Sequence, residues 1–225
     1  HSYFSLKYGT IPPGELLELM ANNGVKYFAL TDINNTSAII EALRLCRKYP
    51  VKIVYGIDLR NGAKQQYILL AKNNDGARDI NGLLSYYQHT QEIIPDRAPI
   101  LENAFVIYPF GAVRPSDLRE NEFIGVRINQ LNKLPFSVYR EHLNKLVVLH
   151  PVTFRNKREF NAHRILRAID KNILLSQLDK SEEANPNETF LTEEALCQLF
   201  ADYPEIIDNT RLILEQCFIE FDFEH

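Results

Sequence analysis

Val25-Lys-Tyr-Phe-Ala-Leu30, then Ser37 to Lys48, then Val51-Lys-Ile-Val-Tyr55 is the stretch whose reading decides the fold class. The outer segments are short and rich in aromatic and β-branched residues, which suits buried strands. Between them Ile39, Ile40, Leu43 and Cys46 recur at helical spacing. Strand, helix and strand with short connections imply parallel pairing, because parallel neighbours need a crossover and a helix supplies it. The polar turn Thr31-Asp-Ile-Asn-Asn35 ends the first strand. The fold class is α/β.

Upstream, Glu15 to Asn23 places Leu16, Leu17, Leu19 and Met20 on one helical face. Pro13 suits its first turn and Gly24 its stop. Downstream, strands are expected at Gln66 to Ala71, Ala104 to Tyr108, Phe123 to Val126 and Leu146 to His150, with a helix at Gly76 to Tyr87. Further helices are expected at Glu159 to Asp170, Thr192 to Phe200 and Ile206 to Gln216, and a polar loop at Asp179 to Asn187. Phe218-Ile-Glu-Phe-Asp-Phe223 alternates apolar and polar residues like a half-buried strand. With 225 residues, 45% of them hydrophobic, the chain can build one sizeable core. Its net charge of −4 gives no general attraction for a polyanion such as DNA. No apolar run nears the roughly 20 residues that cross a bilayer. Cys46, Cys197 and Cys217 are an odd set without C-x-x-C spacing, which fits a reducing, cytoplasmic setting.

The six histidines show no zinc-finger or H-E-x-x-H spacing, and no nucleophile elbow, P-loop or dinucleotide fingerprint is present. In α/β sheets, chemistry gathers at the C-terminal ends of strands. The residues at such ends are Asp32, Asp58 and His150, with His1 available from the N-terminal segment. Each also has a purely structural reading: Asp32 as a turn former, Asp58 as a turn or edge carboxylate, His150 as a satisfied polar group at a strand exit. His163, between apolar neighbours, reads as a packed structural histidine. Arg155, Lys157 and Arg158 at a helix start offer a contact for a small anion, or simply a solvated face. Taken alone, these residues make an α/β domain without a convincing active site.

Four motifs add a family. His1-Ser-Tyr-Phe-Ser-Leu-Lys-Tyr-Gly9, Leu30-Thr-Asp-Ile-Asn34, Val54-Tyr-Gly-Ile-Asp58 and Leu69-Leu-Ala-Lys-Asn-Asn74 resemble, in order and spacing, the polymerase and histidinol phosphatase (PHP) domain of bacterial DNA polymerase III alpha subunits. Val152 to Ile169 and Asp202 to Thr210 resemble later parts of the same family, and the likeness is weakest over residues 93–144. The resemblance implies a distorted (β/α)7 TIM-like barrel over residues 1–175 and a helical extension over 176–225 leading towards a polymerase palm. It also implies metal ligands at strand ends, and here most are lost. The family's His-x-His is met only by His1, an expected aspartate is Tyr8, and an expected histidine is Ile33. An expected glutamate is Asp58, a further histidine falls at Gln66, and an Asp-x-His pair falls on Pro151 and Thr153. Isoleucine and proline offer no side-chain lone pair, and glutamine and threonine bind transition metals weakly.

The resemblance thus implies no catalytic residue, no cofactor and no metal in this domain, with His1, Asp58 and His150 as residual candidates. The implied role is a scaffold of a replicative polymerase, contacting the remainder of the polymerase chain and a proofreading exonuclease subunit. DNA would be met only through the full-length polymerase, whose nucleotidyl-transfer carboxylates lie beyond residue 225. The alternative is an active zinc or manganese phosphoesterase or 3′–5′ exonuclease on a rebuilt set of His1, Asp32, Asp58 and His150.

Overall fold

A computed structural model describes residues 1–221. At its centre is a six-stranded sheet in the order β1-β2-β3-β4-β5-β6. The strands are β1 (Tyr27–Leu30), β2 (Lys52–Asn61), β3 (Lys64–Ala71), β4 (Ala104–Pro109), β5 (Glu122–Val126) and β6 (Leu146–Val148). The helices are α1 (Pro13–Asn22), α2 (Ala38–Cys46), α3 (Asn74–Thr90), α4 (Lys157–Lys171), α5 (Glu193–Leu199) and α6 (Pro204–Glu215). Every expected helix is present, and no helix among the described residues is long and apolar enough to cross a membrane.

β1 and β2 pair in parallel through α2, and β4, β5 and β6 are mutually parallel. The parallel pairing expected across α2 is present, but in the middle β2–β3 and β3–β4 are antiparallel, unlike the (β/α)7 barrel that the resemblance implies. Only Gly62 and Ala63 separate β2 from β3, too short for a crossover, and Gly62 sits at φ +60°, a conformation glycine takes without strain. Asn61-Gly62 is a hairpin signal. From β4 to β6 the connections are 3-10 turns at Pro115–Asp117, Ile128–Phe136 and Leu143–Lys145 in place of α-helices. The described residues therefore form a curled mixed sheet, compatible with a PHP fold, in which the regular (β/α)7 barrel is not seen.

β2 carries the architecture because it is buried on both faces. Ile53, Tyr55, Ile57 and Leu59 pack under the helices with Leu17, Ile39 and Ile80. Val54, Gly56, Asp58 and Arg60 alternate onto the concave face. There Val54 joins Ile68, Leu70, Phe105, Ile107, Val147 and Leu149 in a second core.

The sheet has two edges, β1 and β6, and α6 packs against both. An edge strand leaves backbone groups without a ladder partner, and α6 supplies them from side chains. Thr210 Oγ1 accepts from the Val148 N–H at 2.8 Å. Asn209 Nδ2 donates to the carbonyls of Leu143 at 2.8 Å and Leu146 at 2.9 Å. The same helix sends Ile213 into the concave core, where the following Cys217 joins it.

The strand expected over Phe218 to Phe223 does not form within the described residues. The Phe218 N–H donates to the Lys72 carbonyl at 2.9 Å, and the Asn74 side chain bonds both backbone groups of Glu220. The rest of that segment lies outside the described residues.

α4 is joined to the N-terminal loop by His163, which is fully buried. The Ala184 N–H donates to Nε2 at 2.9 Å, so the ring proton sits on Nδ1, which bonds the Tyr8 carbonyl at 2.7 Å. Burial holds its pKa below the ordinary 6.5. The unfolded chain therefore takes up this proton first, and stability drains away as pH falls below about 6.5. In pH-dependent urea unfolding, His163→Gln is expected to flatten this acid-side slope; an unchanged slope would assign the loss elsewhere. Asn209→Ala is expected to cost about 1–3 kcal/mol in the same assay, from two orphaned carbonyls.

Candidate functional site

The strand ends converge on a buried polar cluster built around Asp58, whose side chain is wholly inaccessible. The carboxylate lies within β2 and not after it, because β2 runs on to Asn61. Arg60, two residues on and on the same face, donates to Asp58 Oδ2 from Nε at 2.9 Å and from Nη2 at 2.6 Å. Gln65 Nε2 donates to Oδ1 at 3.0 Å. Gln65 stands where the sequence placed Gln66. A register shift between Leu59 and Arg60 pairs Leu59 with Tyr67 but Arg60 with Gln65, leaving Gln66 as the extra residue of a bulge.

His1 joins from the other side. Its Nε2 donates to Asp58 Oδ2 at 3.1 Å. Thr153 gives its one hydroxyl proton to Glu188 Oε2 at 2.6 Å, so Thr153 Oγ1 accepts from His1 Nδ1 at 3.0 Å. Both ring nitrogens are thus engaged. Glu188 in turn accepts from Arg127 Nη1 at 3.1 Å. The Arg60 guanidinium lies 5.1 Å from the centre of the Tyr8 ring, a cation–π contact. Burial opposes the Arg60 charge, yet Asp58 and Tyr8 outweigh it and push its pKa upward. Burial likewise raises the Tyr8 hydroxyl.

Of the four residues named as a rebuilt ligand set, His1 and Asp58 join through their side chains, while Asp32 meets Asp58 through the backbone, its carbonyl accepting from the Asp58 N–H at 3.0 Å. Asp32 is taken by the N-terminal loop, accepting from the Ser2 N–H at 2.5 Å, Ser2 Oγ at 2.6 Å and Ser5 Oγ at 2.7 Å. His150 donates from Nε2 to the Thr189 carbonyl at 2.8 Å, and burial lowers its pKa. Ile33 bridges Asp58 through the backbone alone. Arg155 is paired with Glu15 and Glu159, while Lys157 and Arg158 are exposed around the α4 start that Asn156 caps.

The donor chemistry does not suit zinc or manganese. A ligating imidazole needs a free lone pair, and the oxygens of Asp58 already face the Arg60 guanidinium, the His1 ring and the Gln65 amide. Among the described residues no group of three or more His, Cys, Asp or Glu side chains is placed to hold a metal ion. A polar recess of about 210 Å³ opens onto the cluster, lined by Tyr8, Arg60, Gln65, Arg127 and Glu188 among others. A larger, mainly apolar cavity of about 410 Å³ between β1, β6 and α6 also reaches His1 and Asp58.

Arg60, Gln65, Arg127 and Glu188 were absent from the sequence reading. Arg60 and Asp58 share a face by the two-residue period of a strand, a signal hidden by ending the strand at Tyr55. Glu188 comes from a loop far along the chain, and no local spacing marks it.

Residues 1–108 match the PHP domain family. The chain is 26% identical to DNA polymerase III subunit alpha of Haemophilus influenzae over 255 aligned positions, and 26% identical to that of Vibrio cholerae over 258. It is 24% identical to that of Buchnera aphidicola from Schizaphis graminum over 261. In each case 96% of this chain is covered but only 22% of the relative, so the chain spans about a fifth of the length of these proteins. Residues 1–108 thus resemble the PHP domain family, within a chain similar over nearly its whole length to DNA polymerase III alpha subunits.

Proposed function

We propose that the chain is the PHP-type N-terminal module of a bacterial replicative DNA polymerase III alpha subunit and that it acts as a non-catalytic scaffold. The observation that carries this reading is the Asp58 carboxylate, enclosed by Arg60, Gln65 and His1, with no group of three or more metal-ligating side chains among the described residues. A hydrolytic metal centre needs about three protein ligands and an open position for water. Here hydrogen-bond donors surround the Asp58 carboxylate instead. The similarity to alpha subunits over 96% of the chain supports a place in a polymerase. On this reading the domain buttresses the polymerase body and offers a docking surface to the proofreading exonuclease subunit, in the cytoplasm, meeting DNA only through the whole polymerase.

The full chain, incubated with single-stranded DNA or a chromogenic phosphate ester and with added Mn²⁺ or Zn²⁺, is expected to show no turnover above the Asp58→Ala variant. Robust turnover that disappears in Asp58→Ala would overturn the scaffold reading in favour of a metallophosphoesterase.

A further inference from the structure

A carboxylate with no solvent access must be compensated, and the energetic demand for a counter-charge at Asp58 does not vanish with a metal site. Arg60 meets that demand from an adjacent position on its own strand. It is itself only 6% exposed, and it makes two bonds to one carboxylate oxygen. Its guanidinium is also packed against Tyr8, at the position where the resemblance expects a metal-binding aspartate. Asn34 fixes the Arg60 backbone from outside β2, accepting from its N–H at 2.9 Å and donating to its carbonyl at 2.9 Å. Main chain and head group are both anchored, so the cation has a defined seat.

We propose that Arg60 is the resident cation of this pocket, a covalently attached replacement for the metal ion, which pairs with the buried Asp58 carboxylate and keeps the His1 to Gly9 loop docked on the sheet. This deepens the scaffold reading and rests on it. Arg60 is a positioning residue: it acts through Asp58 and His1 on the packing of the loop. A plain packing role for its aliphatic stem makes a different forecast, because methionine reproduces the stem without the charge.

The experiment is a set of thermal unfolding measurements on the full chain at neutral pH. Arg60→Met is expected to lower the unfolding temperature by several degrees, since it leaves a buried carboxylate unpaired. Asp58→Asn/Arg60→Met, which removes both charges, is expected to regain much of that loss. Arg60→Ala is expected to be destabilised and to be raised by low-millimolar methylguanidinium, which the wild-type chain and Arg60→Met do not feel. If Arg60→Met melts with the wild type, or if the double variant is no more stable than Arg60→Met, the assignment is wrong. Should Arg60→Met and Arg60→Ala not fold, a folded double variant supports the assignment and an unfolded one overturns it. Turnover by the wild-type chain would remove the scaffold reading as well; failure of the double variant to recover removes only the role of Arg60.

Discussion

The ion pair between Asp58 and Arg60 is the interaction on which the site depends. A buried carboxylate without a partner costs several kcal/mol, so breaking the pair is far more disruptive than never having had it. Everything around the pair is arranged to keep both charges satisfied. His1 bridges the pair to Thr153 and Glu188, Gln65 completes Asp58 from the neighbouring strand, and Tyr8 lays its ring under the guanidinium. Three distant parts of the chain, the N-terminal loop, the β2–β3 hairpin and the segment around Glu188, are thereby tied to one point.

The second constraint is the open sheet. A barrel abolishes edges by closing on itself, whereas here β1 and β6 are left as edges and α6 lies against both. Asn209 and Thr210 act as substitute ladder partners for the β6 region, and Ile213 enters the concave core. The C-terminal helix is therefore integral to the sheet's packing. A surface held in this way, with its polar centre locked and its seam covered, suits a part whose task is to present a fixed shape.

Much of this was legible in the sequence, for identifiable reasons. The helices were legible because their apolar positions recur at helical spacing between proline, glycine and asparagine signals, as in Pro13 to Gly24. The strands were legible as apolar runs, but run length does not report pairing direction, and the antiparallel β2–β3 hairpin, turned in two residues at Gly62 and Ala63, was not legible from the runs. At the site, His1 and Asp58 lie within hydrogen-bond distance, while the contact to Asp58 from β3 comes from Gln65 and not Gln66, because a bulge is invisible to spacing. The partners that matter most were missed for a physical reason. A motif search looks for ligands of a metal, and a cation supplied by an arginine leaves no ligand pattern to find.

The most direct test of this account is the metal content of the purified full chain after incubation with Zn²⁺ and Mn²⁺ and removal of free ions, read by plasma mass spectrometry. A pocket already holding its own cation predicts well under one equivalent of either metal, unchanged by Asp58→Asn. One tightly held equivalent that is lost in Asp58→Asn would contradict the account, because a divalent ion would then be occupying the place assigned to Arg60.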